Sequence, residues 1–106
     1  MDGFWTARFV TPMGSGGGVA YFTANEVFGG DSGFTYLGSY QVNGTNIVTK
    51  LKITPHSTGI PSVFGSTAQA FDLTITGTIQ GNQISGTGSA SIAPGVSFQV
   101  NLTKVK

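Results

Sequence analysis

The chain has 106 residues, five Lys and Arg against four Asp and Glu, and no cysteine. That length holds one domain with one core, residues 1–106, and the missing cysteines exclude a disulfide framework and a thiolate metal site. A formal net charge of +1, with Arg8, Lys50, Lys52, Lys104 and Lys106 scattered, lacks the clustered basic stripe that nucleic-acid binding needs.

Seventeen glycines and only 8% charged residues are poor material for helices. The abundant aromatic and β-branched residues suit a pleated sheet. Residues 1–5 have neither a basic run nor a long apolar core, so no secretory signal and no membrane span are expected, and the chain is read as cytoplasmic.

Period-two alternation starts at once. In residues 3–11, Trp5, Ala7 and Phe9 share one face and Thr6 and Arg8 the other. The glycines at 14–18 read as a flexible hairpin loop, and residues 17–24 set Val19, Tyr21 and Thr23 against Ala20 and Phe22. A short stretch around Val27 and Phe28 leads into Gly29-Gly30-Asp31-Ser32, where an aspartate is expected to cap its own backbone. Residues 33–42 place Phe34, Tyr36, Gly38, Tyr40 and Val42 together. Asn43-Gly44 then predicts a type I′ hairpin turn, both of whose central residues need positive φ.

Residues 45–54 point Ile47, Thr49, Leu51 and Ile53 inward, with Val48, Lys50 and Lys52 outward. The connection 55–69 is long and has an apolar centre at 60–64; it is read either as a lid folded over a barrel mouth or as an ordered plug or short helical turn. The alternation is cleanest in residues 70–80, where Phe71, Leu73, Ile75, Gly77 and Ile79 oppose Asp72, Thr74, Thr76 and Thr78. Gly81-Asn82 predicts another tight turn, and residues 83–92 align Ile84, Gly86, Gly88, Ala90 and Ile92. After a Pro94-Gly95 turn of type II character, residues 96–105 align Val96, Phe98, Val100 and Leu102.

Strands joined by tight turns pair with their sequence neighbours. A meander of eight strands, apolar on one face, removes its edges by closing on itself. The predicted fold is therefore all-β: an eight-stranded, antiparallel, up-and-down barrel.

Enzymatic signatures fail. The glycine run 14–18 is followed by no Lys-Ser/Thr pair, and Val19 stands where a dinucleotide-binding loop needs glycine. His56 is the only histidine, and a lone loop histidine is usually solvated. The carboxylates are Asp2, Glu26, Asp31 and Asp72, with Asp72 outward by alternation, so a paired acid–base site is not expected. The triplets at 43–45 and 101–103 match the glycosylation pattern without a secretory signal to make them acceptors. A non-enzymatic protein without metal or cofactor is expected.

The inward residues define the site instead. Phe34, Tyr36, Tyr40, Phe71, Ile75 and Phe98 would wall an apolar lumen, facing the small Gly86 and Gly88, with Trp5 and Phe9 at its base. Small residues opposite large ones mean either a filled, interdigitated barrel or a void that takes a small apolar ligand. Outward Val48 and Phe22, with Val63 and Phe64 of the long connection, predict a homodimer on a weakly charged surface.

The segment Gly29-Gly30-Asp31 followed by Tyr36, Gly38 and Tyr40 resembles the GrlR-like family of type III secretion negative regulators. The opening Asp2-Gly3-Phe4-Trp5, the glycine-rich stretch 14–18 and Ser62-Val63-Phe64-Gly65 extend the resemblance over nearly the whole chain. It implies a lipocalin-like dimeric barrel with an interior open to a lipid-like molecule, and repression through a bound regulatory protein rather than DNA. Where the founding regulator carries an exposed acidic run in the hairpin after this motif, residues 42–46 here contain no acid.

Overall fold

A computed structural model describes residues 1–57 and 70–106. Its strands are β1 (Gly3–Thr11), β2 (Gly14–Thr23), β3 (Glu26–Gly30), β4 (Phe34–Asn43), β5 (Asn46–Pro55), β6 (Phe71–Gln80), β7 (Gln83–Ala90) and β8 (Phe98–Lys104). Each pairs antiparallel with the next, and β8 returns to β1, so all eight close into one barrel. The described residues include no helix, and so none long and apolar enough to cross a membrane. The long connection 55–69 lies mostly outside the described residues, as do Val63 and Phe64.

Alternation becomes burial because successive side chains point to opposite faces of a strand. In β5, Ile47, Thr49, Leu51 and Ile53 are buried while Val48, Lys50 and Lys52 are exposed. In β6, Phe71, Leu73 and Ile75 do the same.

Two ends differ. At one, the turns after β2, β4 and β6 meet both chain termini over a floor of aromatic rings. Phe22 lies edge-on to Trp5 at 6.1 Å and to Tyr40 at 5.2 Å between centroids. The Trp5 indole N–H donates to the Met1 carbonyl at 3.2 Å, and the Tyr40 hydroxyl donates to the Asp2 carboxylate. At the other end lie the β1–β2 hairpin, the loop 31–33, the ends of β5 and β6 that flank the long connection, and the 91–97 loop.

Four local expectations need correction. The glycines 14–18 form strand, not loop: Gly14 to Gly18 pair with Thr11 back to Ala7, and the turn is Pro12–Met13. Their small size serves aromatic cover, since a Cβ on Gly16 would sit 2.7 Å from the Phe9 ring, which overlies the strand. Phe22 points inward and is buried, while Val19 and Tyr21 are the exposed large apolar residues of β2. The β4–β5 turn is shifted by one residue: Asn43 pairs with Asn46, leaving Gly44-Thr45 as the loop. Gly44 alone there has positive φ, +65°, the mark of a type II′ turn. The turn with positive φ at both positions is Ala24-Asn25, at 50° and 69°. Finally, Ile92 and Val96 fall outside the strands, in the 91–97 loop.

Candidate functional site

A cavity of about 280 Å³ runs down the barrel from the end ringed by the 31–33 loop. Its wall is almost wholly apolar: Phe22, Phe34, Ile53, Phe71, Leu73, Ile75, Phe98, Val100 and Leu102 among others. Eight strands leave an interior either filled by side chains or wide enough for one small ligand. Here the aromatic floor fills one end and the space remains at the other.

Of the residues expected around a lumen, Phe34, Tyr36, Phe71, Ile75 and Phe98 line the cavity together. Tyr40, Gly86 and Gly88 do not. Tyr40 belongs to the closed floor, where it packs on Phe22 and bonds Asp2. Gly86 and Gly88 leave no void because neighbours already occupy their space. A Cβ on Gly88 would stand 2.9 Å from Phe98 Cδ2 and 2.7 Å from the Thr74 carbonyl oxygen. One on Gly86 would meet the Thr76 carbonyl oxygen at 2.8 Å and Ile75 Cγ2 at 3.2 Å. Phe9 is likewise at the open end rather than the base, its ring 6.1 Å from that of Phe98.

The open rim is built on Asp31. As its glycine-rich setting predicts, the side chain caps its own loop, with Oδ1 accepting the N–H groups of Gly33 and Phe34 at 2.8 Å each. The Tyr36 hydroxyl donates to Oδ2. Gly18, opposite, makes this possible, because a Cβ there would lie 2.6 Å from the Tyr36 oxygen. Burial, with the adjoining Asp31 carboxylate, raises the Tyr36 phenol well above its ordinary range and keeps it neutral. The family-like motif thus has a local meaning: Asp31 and Tyr36 build the rim, while Tyr40 anchors the floor. Gly29 and Gly30 pair with Tyr36 and Thr35, and Gly38 pairs with Val27.

His56 and Ser57 tie the end of β5 to the same loop. The His56 Nε2–H donates to the Asp31 carbonyl at 2.9 Å, the His56 amide to the Gly33 carbonyl at 2.9 Å, and Ser57 Oγ to the Ser32 carbonyl at 3.1 Å. Ser57 Oγ also lies 3.3 Å from His56 Nδ1, but both side chains are exposed and neither lines the cavity. Among the described residues no group of three His, Cys, Asp or Glu converges as a metal site.

Sequence reasoning missed Ser15 and Gly16, which line the cavity. Ser15, an odd number of residues from Ala20, carries no signal in the alternation, whereas that of Gly16 was legible. Gly16 lies an even number of residues from inward Ala20 and Phe22, but reading the glycine run as loop hid it.

Compared with known proteins, the chain matches no family model and no curated protein.

Proposed function

We propose that this protein is a non-enzymatic binder of a small apolar molecule held in the barrel lumen. One observation carries the reading: an apolar cavity of about 280 Å³ opening at a polar rim. Such a composition, apolar walls with a few placed polar groups, is that of small-molecule sites. The size fits a modest ligand. A cavity of ~150 Å³ holds benzene, which scales to roughly eleven heavy atoms here. Titration with decan-1-ol, followed by calorimetry and denaturant melting, tests it. Saturable binding is expected to stabilise the fold by about 2.7 kcal/mol at a hundredfold excess over Kd and to raise the melting midpoint accordingly. Absence of both heat and stabilisation would overturn it.

A second reading, a homodimeric regulator of the GrlR-like type that acts by binding another protein, is favoured by a separate feature. Phe4 pairs with Tyr21, Tyr21 with Phe28, and Phe28 with Leu37, so four adjacent strands present one exposed apolar row. Leu37, at its edge, is 59% exposed. Tyr21 and Phe28 meet edge to face at 5.3 Å. Beyond Leu37 the row ends in the exposed Lys52–Asp72 pair. Monomeric proteins rarely leave a contiguous apolar patch without use. This row replaces the Phe22 face inferred from alternation. The two readings are compatible, because the lumen and the outer row occupy opposite faces of the same strands.

A further inference from the structure

We infer that the lumen selects an amphiphile with a cationic head, an alkylammonium in chemical class, whose head sits at the Asp31 carboxylate and whose tail lies among Phe34, Phe71, Ile75 and Phe98. The inference rests on the lumen-binding reading above and adds the chemistry of the head.

Asp31 is the one formally charged side chain among the described residues that line the cavity. The chain's cations are placed elsewhere. Arg8 and Lys50 are exposed on the outer face, and Lys52 lies 3.5 Å from Asp72 there. Lys104 and Lys106 sit toward the closed end, Lys104 paired with Trp5 and the Lys106 backbone hydrogen-bonded to that of Phe4. Residues 58–69, which complete the β5–β6 connection, contain no Lys, Arg, Asp, Glu or His. They have no charge to contribute to a ligand or to Asp31.

The carboxylate is held but not neutralised. A carboxylate offers roughly four acceptor positions. Two backbone N–H groups take positions on Oδ1, and the Tyr36 hydroxyl takes one on Oδ2. All three donors are uncharged, so none of them offsets the carboxylate, and among the described residues no donor takes the remaining acceptor position on Oδ2. A carboxylate-headed ligand, such as a fatty acid, would meet like charge there, whereas an ammonium would gain a charge-assisted hydrogen bond. The cavity volume sets the tail at about ten carbons, by the benzene comparison already used.

The test is calorimetric titration of the whole protein with decylamine, decan-1-ol and decanoate at low salt and about pH 8, where amines are protonated and carboxylates ionised. Decylammonium should bind roughly tenfold tighter than the alcohol, and decanoate weaker than either, since a charge-assisted bond has about twice the strength of a neutral one. Asp31→Asn retains an Oδ1 acceptor for Gly33 and Phe34, and it should erase the preference for amine over alcohol. Tyr36→Phe retains the carboxylate and should preserve that preference. Should Asp31→Asn fail to fold, salt decides: raising it should weaken the amine and leave the alcohol unchanged. Equal affinity for the three heads, or decanoate binding tightest, would overturn the cationic head while leaving the lumen reading intact. Failure of all three to bind would overturn both.

Discussion

A Cβ built on Gly88 would lie 2.9 Å from Cδ2 of Phe98, its cross-strand partner, so the ring already fills the space the glycine leaves. The nearby Thr74 carbonyl oxygen, 2.7 Å from the same point, is backbone and yields only if the strands shift. Gly88→Leu should therefore destabilise the barrel by about 1–3 kcal/mol, the usual cost of overfilling a packed site. Denaturant melting without ligand measures this, and an unchanged or raised midpoint would show that the β7 glycines border a void after all.

That relationship marks where sequence reading stops. Alternation and turn residues were enough to number the strands, close the barrel and choose Phe34, Tyr36, Phe71, Ile75 and Phe98 as inward, because burial on one face imposes a period of two. Alternation says nothing about depth along the barrel axis, which is why Tyr40 joined the wall although it lies on the floor, and Phe9 joined the base although it lies at the mouth. It is also silent on whether a glycine opens space or is covered by a neighbouring ring. Ala24-Asn25 escaped notice as the type I′ turn because it contains no glycine, while Asn43-Gly44 advertised one that the register displaces by a residue.

The turns yield a prediction of opposite signs. Gly44 at φ +65° occupies a region that β-branched residues resist, so Gly44→Val should cost roughly 1 kcal/mol or more. Ala24 at φ +50° already bears that strain, about 1–2 kcal/mol for a residue with a Cβ. Ala24→Gly should relieve it and raise stability, less the added freedom of the unfolded glycine, about 0.4–1 kcal/mol. Equilibrium unfolding of both variants checks the pair, and a loss in Ala24→Gly would contradict the assigned turn.

Stability should fall toward both extremes of pH through two tyrosine–carboxylate contacts. The Tyr40 hydroxyl holds the Asp2 carboxyl below its ordinary range. The folded state thus binds that proton more weakly than the unfolded chain, and this contribution is present above about pH 4 and lost as pH falls through the folded value. Burial first, then Asp31, raises the Tyr36 phenol. The folded state keeps that proton more tightly, so the contribution is present below about pH 10 and is lost as pH rises beyond it. Urea midpoints measured across pH should show a shallower acid limb in Asp2→Asn and a shallower alkaline limb in Tyr36→Phe. Limbs parallel to those of the parent protein would refute the assignment.

The outer row predicts self-association. Leu37→Lys places a charge at the edge of the strip formed with Phe4, Tyr21 and Phe28, opposite Lys52. At micromolar concentration the parent protein should sediment as a dimer and the variant as a monomer. Thermal stability measured on the dissociated monomers should change by no more than about 0.5 kcal/mol, as for an ordinary surface substitution. A parent protein that sediments only as a monomer would remove the dimer.

The last prediction contrasts Ala7 with Gly88. Both face inward, and neither has much side chain, yet only Ala7 borders the cavity. Ala7 lies on β1 opposite Gly18 and Leu102 and lines the cavity, so a longer side chain there extends toward the lumen. Ala7→Leu should bury added apolar carbon at up to about 0.8 kcal/mol per methylene, without the overfilling penalty expected at Gly88. Its midpoint should match or exceed that of the parent protein, while decan-1-ol binding weakens because the added carbons take the volume the tail needs. If Ala7→Leu instead melts earlier, the barrel relaxes around its contents and the lumen is not an open void. If it melts later yet binds the alcohol as tightly as before, the ligand sits elsewhere and the lumen reading fails on its own terms.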